Sequence, residues 1–166
     1  MILVAIGANL PNAAGRPAIE TCRWAVTQLE AVAPVVAVSR WYRTAPVPPS
    51  GQPDYINGVA YLEGTGDPEI TLAALHRIEQ AAGRIRGAIN APRVLDLDLL
   101  AVDDKVVTGQ GVILPHPRLA RRAFVLVPLN DVAPGWRHPV TGLTVATMLA
   151  ATDRTGVSLA CEPALD

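Results

Sequence analysis

The apolar positions along this chain change period several times, and the changes divide it into elements. Ile2 to Ile6 is an unbroken apolar run, the pattern of a central strand, and Gly7-Ala8-Asn9-Leu10-Pro11-Asn12 ends it in a turn-rich loop. Ile19, Cys22, Val26, Leu29 and Ala33 then recur at helical spacing. Pro17 suits a first helical turn and Pro34 stops the pattern, so an amphipathic helix is expected over 17–32. Val35 to Tyr42 is β-branched and aromatic and reads as one strand, and Tyr55 to Leu62 as another. Asp67-Pro68-Glu69 joins a capping acid, an early proline and a second acid near the positive helix end; it predicts a helix to about Ala82, with His76 and Glu79 on one face. Pro92 to about Val102 has the composition of a buried strand. Asp103-Asp104-Lys105 reads as a hairpin turn into Val106 and Val107, and Val112 to Leu114 as a short extended piece. Arg121 to Val132 reads as helical despite Pro128, Leu143 to Ala151 as a last helix, and the pattern is weak from Asp153 onward.

Two stretches resist any period. Arg43 to Pro53 holds four prolines and a glycine, and 83–92 carries Arg84 and Arg86 between two glycines. Long loops of this kind in a small domain often bind ligands, although either is also compatible with a plain connection. Most of the connections without helices are too short for parallel crossovers. The expected fold class is therefore α+β, a sandwich with a mostly antiparallel sheet, built as one domain over the 166 residues.

The buried strand contains an anomaly. In Leu95-Asp96-Leu97-Asp98-Leu99 the leucines share one face and the two carboxylates the other. Carboxylates in an apolar strand need cations beside them. Arginine is the plain answer, since an isolated Asp-x-Asp is a weak motif and salt bridges would satisfy it. A divalent metal is the other: magnesium often rests on one or two carboxylates plus substrate phosphates, and a metal pair can stabilise an in-line displacement.

Composition alters this picture in one respect. Net charge is −1, which gives no global attraction to nucleic acid or membrane, and half the residues are hydrophobic, which excludes disorder. The cations, however, are 13 arginines and one lysine, and Arg84, Arg86, Arg93, Arg118, Arg121 and Arg122 fall in loops or at element ends around the acidic strand. Guanidinium groups bind phosphate oxygens in pairs, so acids and arginines together suit phosphoryl transfer. No Gly-x-x-x-x-Gly-Lys-Ser/Thr or kinase-type glycine loop is present, so a P-loop architecture is not expected. His116 lies between two prolines and could donate to a phosphate. Cys22 and Cys161 stand apart from each other and from histidine, which disfavours zinc and suits a reducing cytoplasm. The short apolar opening lacks a basic flank and is too short to cross a bilayer. Tyr55, Asn57 and Phe124 are either core residues or a slot for a flat heterocycle, rings stacking and the amide reading an edge. Residue types alone leave open a phosphoryl-transferring enzyme, a non-catalytic ligand-binding module and a metal-dependent phosphodiesterase.

Taken together, Pro92-Arg93-Val94-Leu95-Asp96-Leu97-Asp98, Pro115-His116-Pro117-Arg118 and Arg122-Ala123-Phe124-Val125-Leu126 resemble the 6-hydroxymethyl-7,8-dihydropterin pyrophosphokinase family of folate biosynthesis. Gly7-Ala8-Asn9-Leu10, Tyr42-Arg43-Thr44, Gln52-Pro53-Asp54-Tyr55-Ile56-Asn57 and Gly83-Arg84-Ile85-Arg86 add to the resemblance, which spans about residues 2 to 150. It implies a ferredoxin-like α/β/α sandwich, monomeric and cytoplasmic, that moves pyrophosphate from ATP to a pterin alcohol and releases AMP. By the same resemblance Asp96 and Asp98 hold two magnesium ions, and Arg84 and Arg93 steady the transferring phosphates. Around the nucleotide it sets His76, Glu79, Arg86, His116, Arg118 and Arg122. Thr44, Ala45, Val47, Tyr55, Asn57 and Phe124 form the pterin pocket, and the loops at 43–53 and 84–92 correspond to loops that close over the substrates. Small-molecule substrates are the implied partners. His76 stands where Gln is more usual, Ala45 where Pro is, and Asn90 where a tryptophan is often found, in a loop one residue shorter.

Overall fold

The computed structural model describes residues 1–84 and 93–160. Its centre is β1 (Ile2–Ala8), which pairs antiparallel with β4 (Tyr55–Leu62) on one side and with β5 (Asp96–Val102) on the other. Beyond β4, the same edge receives β2 (Val35–Val38) and β3 (Tyr42–Thr44) in succession, both antiparallel, and β3 in turn pairs with β8 (Val157–Leu159). The sheet order is β5-β1-β4-β3-β8, so the acidic strand lies at an edge.

Helices cover both faces. On one, α1 (Ala18–Leu29) and α2 (Pro68–Ala81) bury Cys22, Ala25, Leu29 and Leu75 against Val4, Ile6, Ile56, Leu95, Leu97 and Leu99. On the other, α3 (Ala123–Val132) and α4 (Val145–Ala150) bury Val125, Leu126, Leu129, Val145 and Met148 against Leu3, Val59, Leu100 and Ala101. This is the expected α+β class with an antiparallel sheet, arranged as a ferredoxin-like α/β/α sandwich. Each fully buried leucine contributes roughly 1.5–3 kcal/mol. Asp67 caps α2 as its sequence predicts, accepting from the Glu69 and Ile70 amides with Pro68 in the first turn.

The helices are a few residues shorter at their ends than the pattern reading, and four elements differ from it in more than that. The run 35–42 is two strands because Ser39 interrupts the ladder: its Oγ accepts the Val59 amide at 2.9 Å and donates to the Arg40 carbonyl at 2.7 Å. The Trp41 ring then lies over Gly58, where a β-carbon would stand 2.5 Å from Cζ3. Among the described residues the acidic strand begins at Asp96, because Arg93 bonds the loop after β1 instead of the sheet; Pro92, where the pattern starts, lies outside them. The turn at Asp103-Asp104-Lys105 exists, closed by the Lys105 amide on the Val102 carbonyl, but the next strand does not return to β5. Instead β6 (Val107–Thr108) pairs with β7 (Ile113–Leu114). The weak tail contributes β8, whose three residues are too few to carry a period. Within β5 one extra residue, Leu100, shifts the register between Val4↔Leu99 and Leu3↔Ala101, so that Leu100 and Ala101 both reach the second core.

Candidate active site

The site forms at the start of β5, where an edge strand leaves backbone donors facing away from β1. One of them, the Leu97 amide, is satisfied at 2.7 Å by Oε1 of Glu79, which reaches across from α2 and is only 3% exposed. The same oxygen holds Arg84 Nη1. Burial pushes the Glu79 carboxyl above its ordinary value, against the Leu97 amide and Arg84, which favour the charged form.

Asp96 and Asp98 occupy the same face, as strand periodicity predicts, yet their surroundings differ. Arg84 Nη1 stands 2.9 Å from Asp96 Oδ1 and Arg93 Nη1 2.6 Å from Oδ2, so Asp96 is gripped on both oxygens. Among the described residues Asp98 has only distant partners, Arg122 at 3.8 Å and His116 Nε2 at 4.0 Å. Burial, then the negative charge of Asp96, raise the Asp98 pKa, and His116, Arg122 and Arg93 offset this only in part. The structure thus realises the arginine answer for Asp96 and leaves Asp98 under-compensated.

His116 is oriented by its own backbone. Its Nδ1 accepts the Arg118 amide at 3.2 Å, so in the neutral ring the proton sits on Nε2, which faces Asp98. Burial lowers its pKa, Asp98 opposes, and Arg122 and Arg118 lower it further, so the ring is mainly neutral at pH 7 and remains a donor at Nε2. Arg122, at the N-terminal boundary of α3, lies between Asp98 and the Phe124 ring, its guanidinium carbon 5.4 Å from the ring centre. Burial would lower the Arg93 pKa, but Asp96 and Asp98 more than offset it.

Beside this charged group lies a second, less polar one. Asn57 is buried on β4 and donates from Nδ2 to Thr44 Oγ1 at 2.8 Å, across the β3–β4 ladder. Gly7 lies opposite Asn57 in the β1 register, where a β-carbon would make an ordinary contact, 3.5 Å, with Asn57 Oδ1. Tyr55 opens the same strand. Burial raises its pKa most, and the opposing influences of Arg93 and Asp96 place it at the seam between the two groups.

The arrangement therefore brings together Glu79, Arg84, Arg93, Asp96, Asp98, His116 and Arg122, and sets Thr44, Tyr55 and Asn57 alongside. Phe124 joins through Arg122 and also packs against the second core. Ala45 and Val47 lie on the β3–β4 loop, Val47 fully displayed at 88% exposure, and the Arg118 side chain is exposed. His76 is half-buried on α2, one turn before Glu79. Arg86 and Asn90 lie outside the described residues. Among the described residues no group of three or more His, Cys, Asp or Glu side chains encloses a metal, so a cation here would take its remaining ligands from substrate and water.

Comparison with known proteins agrees with this geometry. Residues 3–134 match the family model for 7,8-dihydro-6-hydroxymethylpterin-pyrophosphokinase. The chain belongs to that family. It is 38% identical over 157 residues to the 2-amino-4-hydroxy-6-hydroxymethyldihydropteridine pyrophosphokinase of Synechocystis sp., covering 93% of this chain and 77% of that one. It is likewise 38% identical over 156 residues to the Pseudomonas aeruginosa protein of the same name, covering 94% of each. The fold matches the crystal structure of Plasmodium falciparum HPPK-DHPS with pteroate at a TM-score of 0.71 and 12% identity, over 90% of this chain and 44% of that one. Every site residue named above as brought together falls within the matched 3–134 segment.

One participant was not assigned a role from sequence. Asn9 appeared only as part of a turn-rich motif, but it is buried and bonded to two loops of the site. Its sequence signals are its position immediately after the central strand and its place in the Gly7-Ala8-Asn9-Leu10 motif, neither of which gives it a role.

Proposed function

We propose that this chain transfers the pyrophosphoryl group of ATP to the hydroxymethyl group of 6-hydroxymethyl-7,8-dihydropterin, giving AMP and the pterin diphosphate, in folate biosynthesis. The observation that carries the reading is Asp98: a carboxylate at the centre of an arginine cluster whose cations, among the described residues, stand no nearer than 3.8 Å. Family membership and the relatives' names support the same reaction.

Two hard carboxylate oxygens on one strand face fit magnesium, and Asp96 and Asp98 would hold the two ions together with phosphate oxygens and water. Bound magnesium supplies positive charge that spreads the charge of the transferring group. The pterin hydroxyl attacks the β-phosphorus in line; the new P–O bond forms as the bond to the AMP oxygen breaks, and the hydroxyl proton passes to solvent. Arg84 and Arg93, leaving Asp96, steady the transferring phosphates, and Arg122 and the Nε2–H of His116 donate to phosphate oxygens. His76, Glu79, Arg86 and Arg118 complete the nucleotide side. Thr44, Ala45, Val47, Tyr55, Asn57 and Phe124 form the pterin side, Phe124 as a stacking face and Asn57 as the edge reader. No strong base is required for a largely dissociative transition state. On this reading the protein is a monomeric enzyme working on small molecules, with neither nucleic acid nor membrane as partner, in line with a net charge of −1. No helix among the described residues is long and apolar enough to cross a membrane, and a cytoplasmic location is proposed with the folate role.

The test is AMP release from ATP measured with magnesium and the pterin alcohol, each omitted in turn. The reading requires AMP only when both are present. ADP as product, AMP without the pterin, or no AMP would each reject it. Asp98→Ala should keep its fold and lose turnover by at least a hundredfold; retained turnover would remove Asp98 from the metal role.

A further inference from the structure

Asn9 is 2% exposed and immediately follows β1. Its amide is fully used. Nδ2 donates to Gln52 Oε1 at 3.0 Å and to the Pro53 carbonyl at 3.2 Å, while Oδ1 accepts the Arg93 amide at 3.0 Å. Its own backbone amide donates to the Arg93 carbonyl at 3.1 Å. The amide orientation is fixed by its partners, because the Arg93 N–H can only donate and the Pro53 carbonyl can only accept. Asn is the residue that fits: Asp keeps the acceptor but has no donors for Gln52 and Pro53, and Ala has neither.

The two segments so joined belong to opposite halves of the site. Gln52 and Pro53 end the loop that carries Ala45 and Val47 and leads into Tyr55. Arg93 opens the segment that grips Asp96. We propose that Asn9 is a positioning residue that couples the two substrate subsites, so that ordering Arg93 around nucleotide phosphates pre-orders the pterin-side loop, and the reverse. The inference rests on the pyrophosphokinase reading, since it takes the two subsites from it. Coupling of this kind is reciprocal and typically amounts to about 5–150-fold in affinity.

The experiment measures pterin affinity by fluorescence or calorimetry, with and without a saturating non-hydrolysable ATP analogue and magnesium. The variants are Asn9→Asp, Asn9→Ala and Gln52→Ala. In the unaltered protein the analogue should tighten pterin binding at least fivefold. Asn9→Asp and Asn9→Ala should bring that factor below twofold, and Gln52→Ala, which removes the Oε1 acceptor at one end of the bridge but leaves the Pro53 and Arg93 bonds, should give an intermediate value. A factor unchanged in a folded Asn9→Ala protein would overturn the proposal, as would the absence of coupling in the unaltered protein. If the Asn9 variants do not fold, the Gln52→Ala factor decides alone, an unchanged value counting against the coupling. Failure of the underlying reading looks different: the unaltered protein then binds no pterin in either condition.

Discussion

The cap that Glu79 places on β5 can be tested quantitatively. In Glu79→Ala the Leu97 amide loses its acceptor in a buried setting, which costs about 1–3 kcal/mol. Loss of the packed side-chain methylene adds about 0.8 kcal/mol. Relief of a buried carboxylate works the other way, so a net destabilisation of about 2–3 kcal/mol is expected. For a chain of this size each kcal/mol moves Tm by roughly 2–4 °C, giving about 4–12 °C in all. Glu79→Gln isolates the cause. A single oxygen, Oε1, serves both Leu97 and Arg84, and the Gln carbonyl can occupy its place, so this variant should lie within about 1 kcal/mol of the parent. The pH dependence has a definite sign. Burial raises the folded pKa of Glu79 above its ordinary value, so the folded state binds the proton more readily and stability falls as pH rises from about 4.5 through the raised value. Glu79→Gln lacks that slope and should gain on the parent across this window. The assay is urea unfolding at pH 5 and pH 8 with unchanged m. A Glu79→Gln protein as unstable as Glu79→Ala would show that the ion pair, not the cap, holds the strand; a neutral Glu79→Ala would show that Leu97 finds another acceptor.

Asp131 accepts from the Tyr42 hydroxyl at 2.8 Å and from Arg40 at 2.9 Å. Burial would raise its pKa, but these bonds outweigh it and lower the value, so Asp131→Asn should cost about 2 kcal/mol at pH 7 and the difference should vanish as pH falls through the depressed folded value, below the usual 3.8. Gly58→Ala drives a β-carbon to 2.5 Å and 2.7 Å from Trp41 Cζ3 and Cε3 and should destabilise by about 1–3 kcal/mol in thermal melts, a loss that Trp41→Leu in the same chain partly reverses. Burial pushes the Cys22 thiol up to about 12, so a thiol reagent at pH 8 should leave it unlabelled by peptide mass spectrometry until the chain is unfolded.

Features set by local chemistry were readable from sequence. The cap at Asp67, the helical spacing through Leu29, the alternation of Asp96 and Asp98 with leucines and the helix surviving Pro128 all follow from near neighbours. What failed depended on distant partners. Nothing between Val35 and Tyr42 signals that Trp41 will lie across Gly58, or that Ser39 will take the Val59 amide. Three residues, Val157 to Leu159, form a strand only because β3 presents an unpaired edge. In the site, the acids and arginines were visible as residue types, but their pairing was not. That Asp96 takes two guanidinium groups and Asp98 none at close range depends on where Arg84 and Arg93 leave their own elements.

That pairing bears on how the proposed reaction starts. The described site holds three carboxylates, Glu79, Asp96 and Asp98, and three guanidinium groups, Arg84, Arg93 and Arg122. Without substrate the acids and arginines neutralise one another, which spares a half-buried cluster the penalty of isolated charge. On the proposed reading, ATP with two divalent cations would add roughly zero net charge, so substrate entry would be an exchange of partners: cations would take the carboxylates and phosphates the arginines. Each charge stays paired throughout, and no group has to be buried alone. Asp98 is the natural point of entry for this exchange, because its partners at 3.8 Å and 4.0 Å are too far to be hydrogen-bonded and give way at little cost. Asp96, gripped at 2.9 Å and 2.6 Å, would on the same reading yield only when phosphate oxygens are present to receive Arg84 and Arg93. On that reading the tight pair would make assembly of the second cation position depend on nucleotide, the arginines staying committed until there is a phosphate to hold.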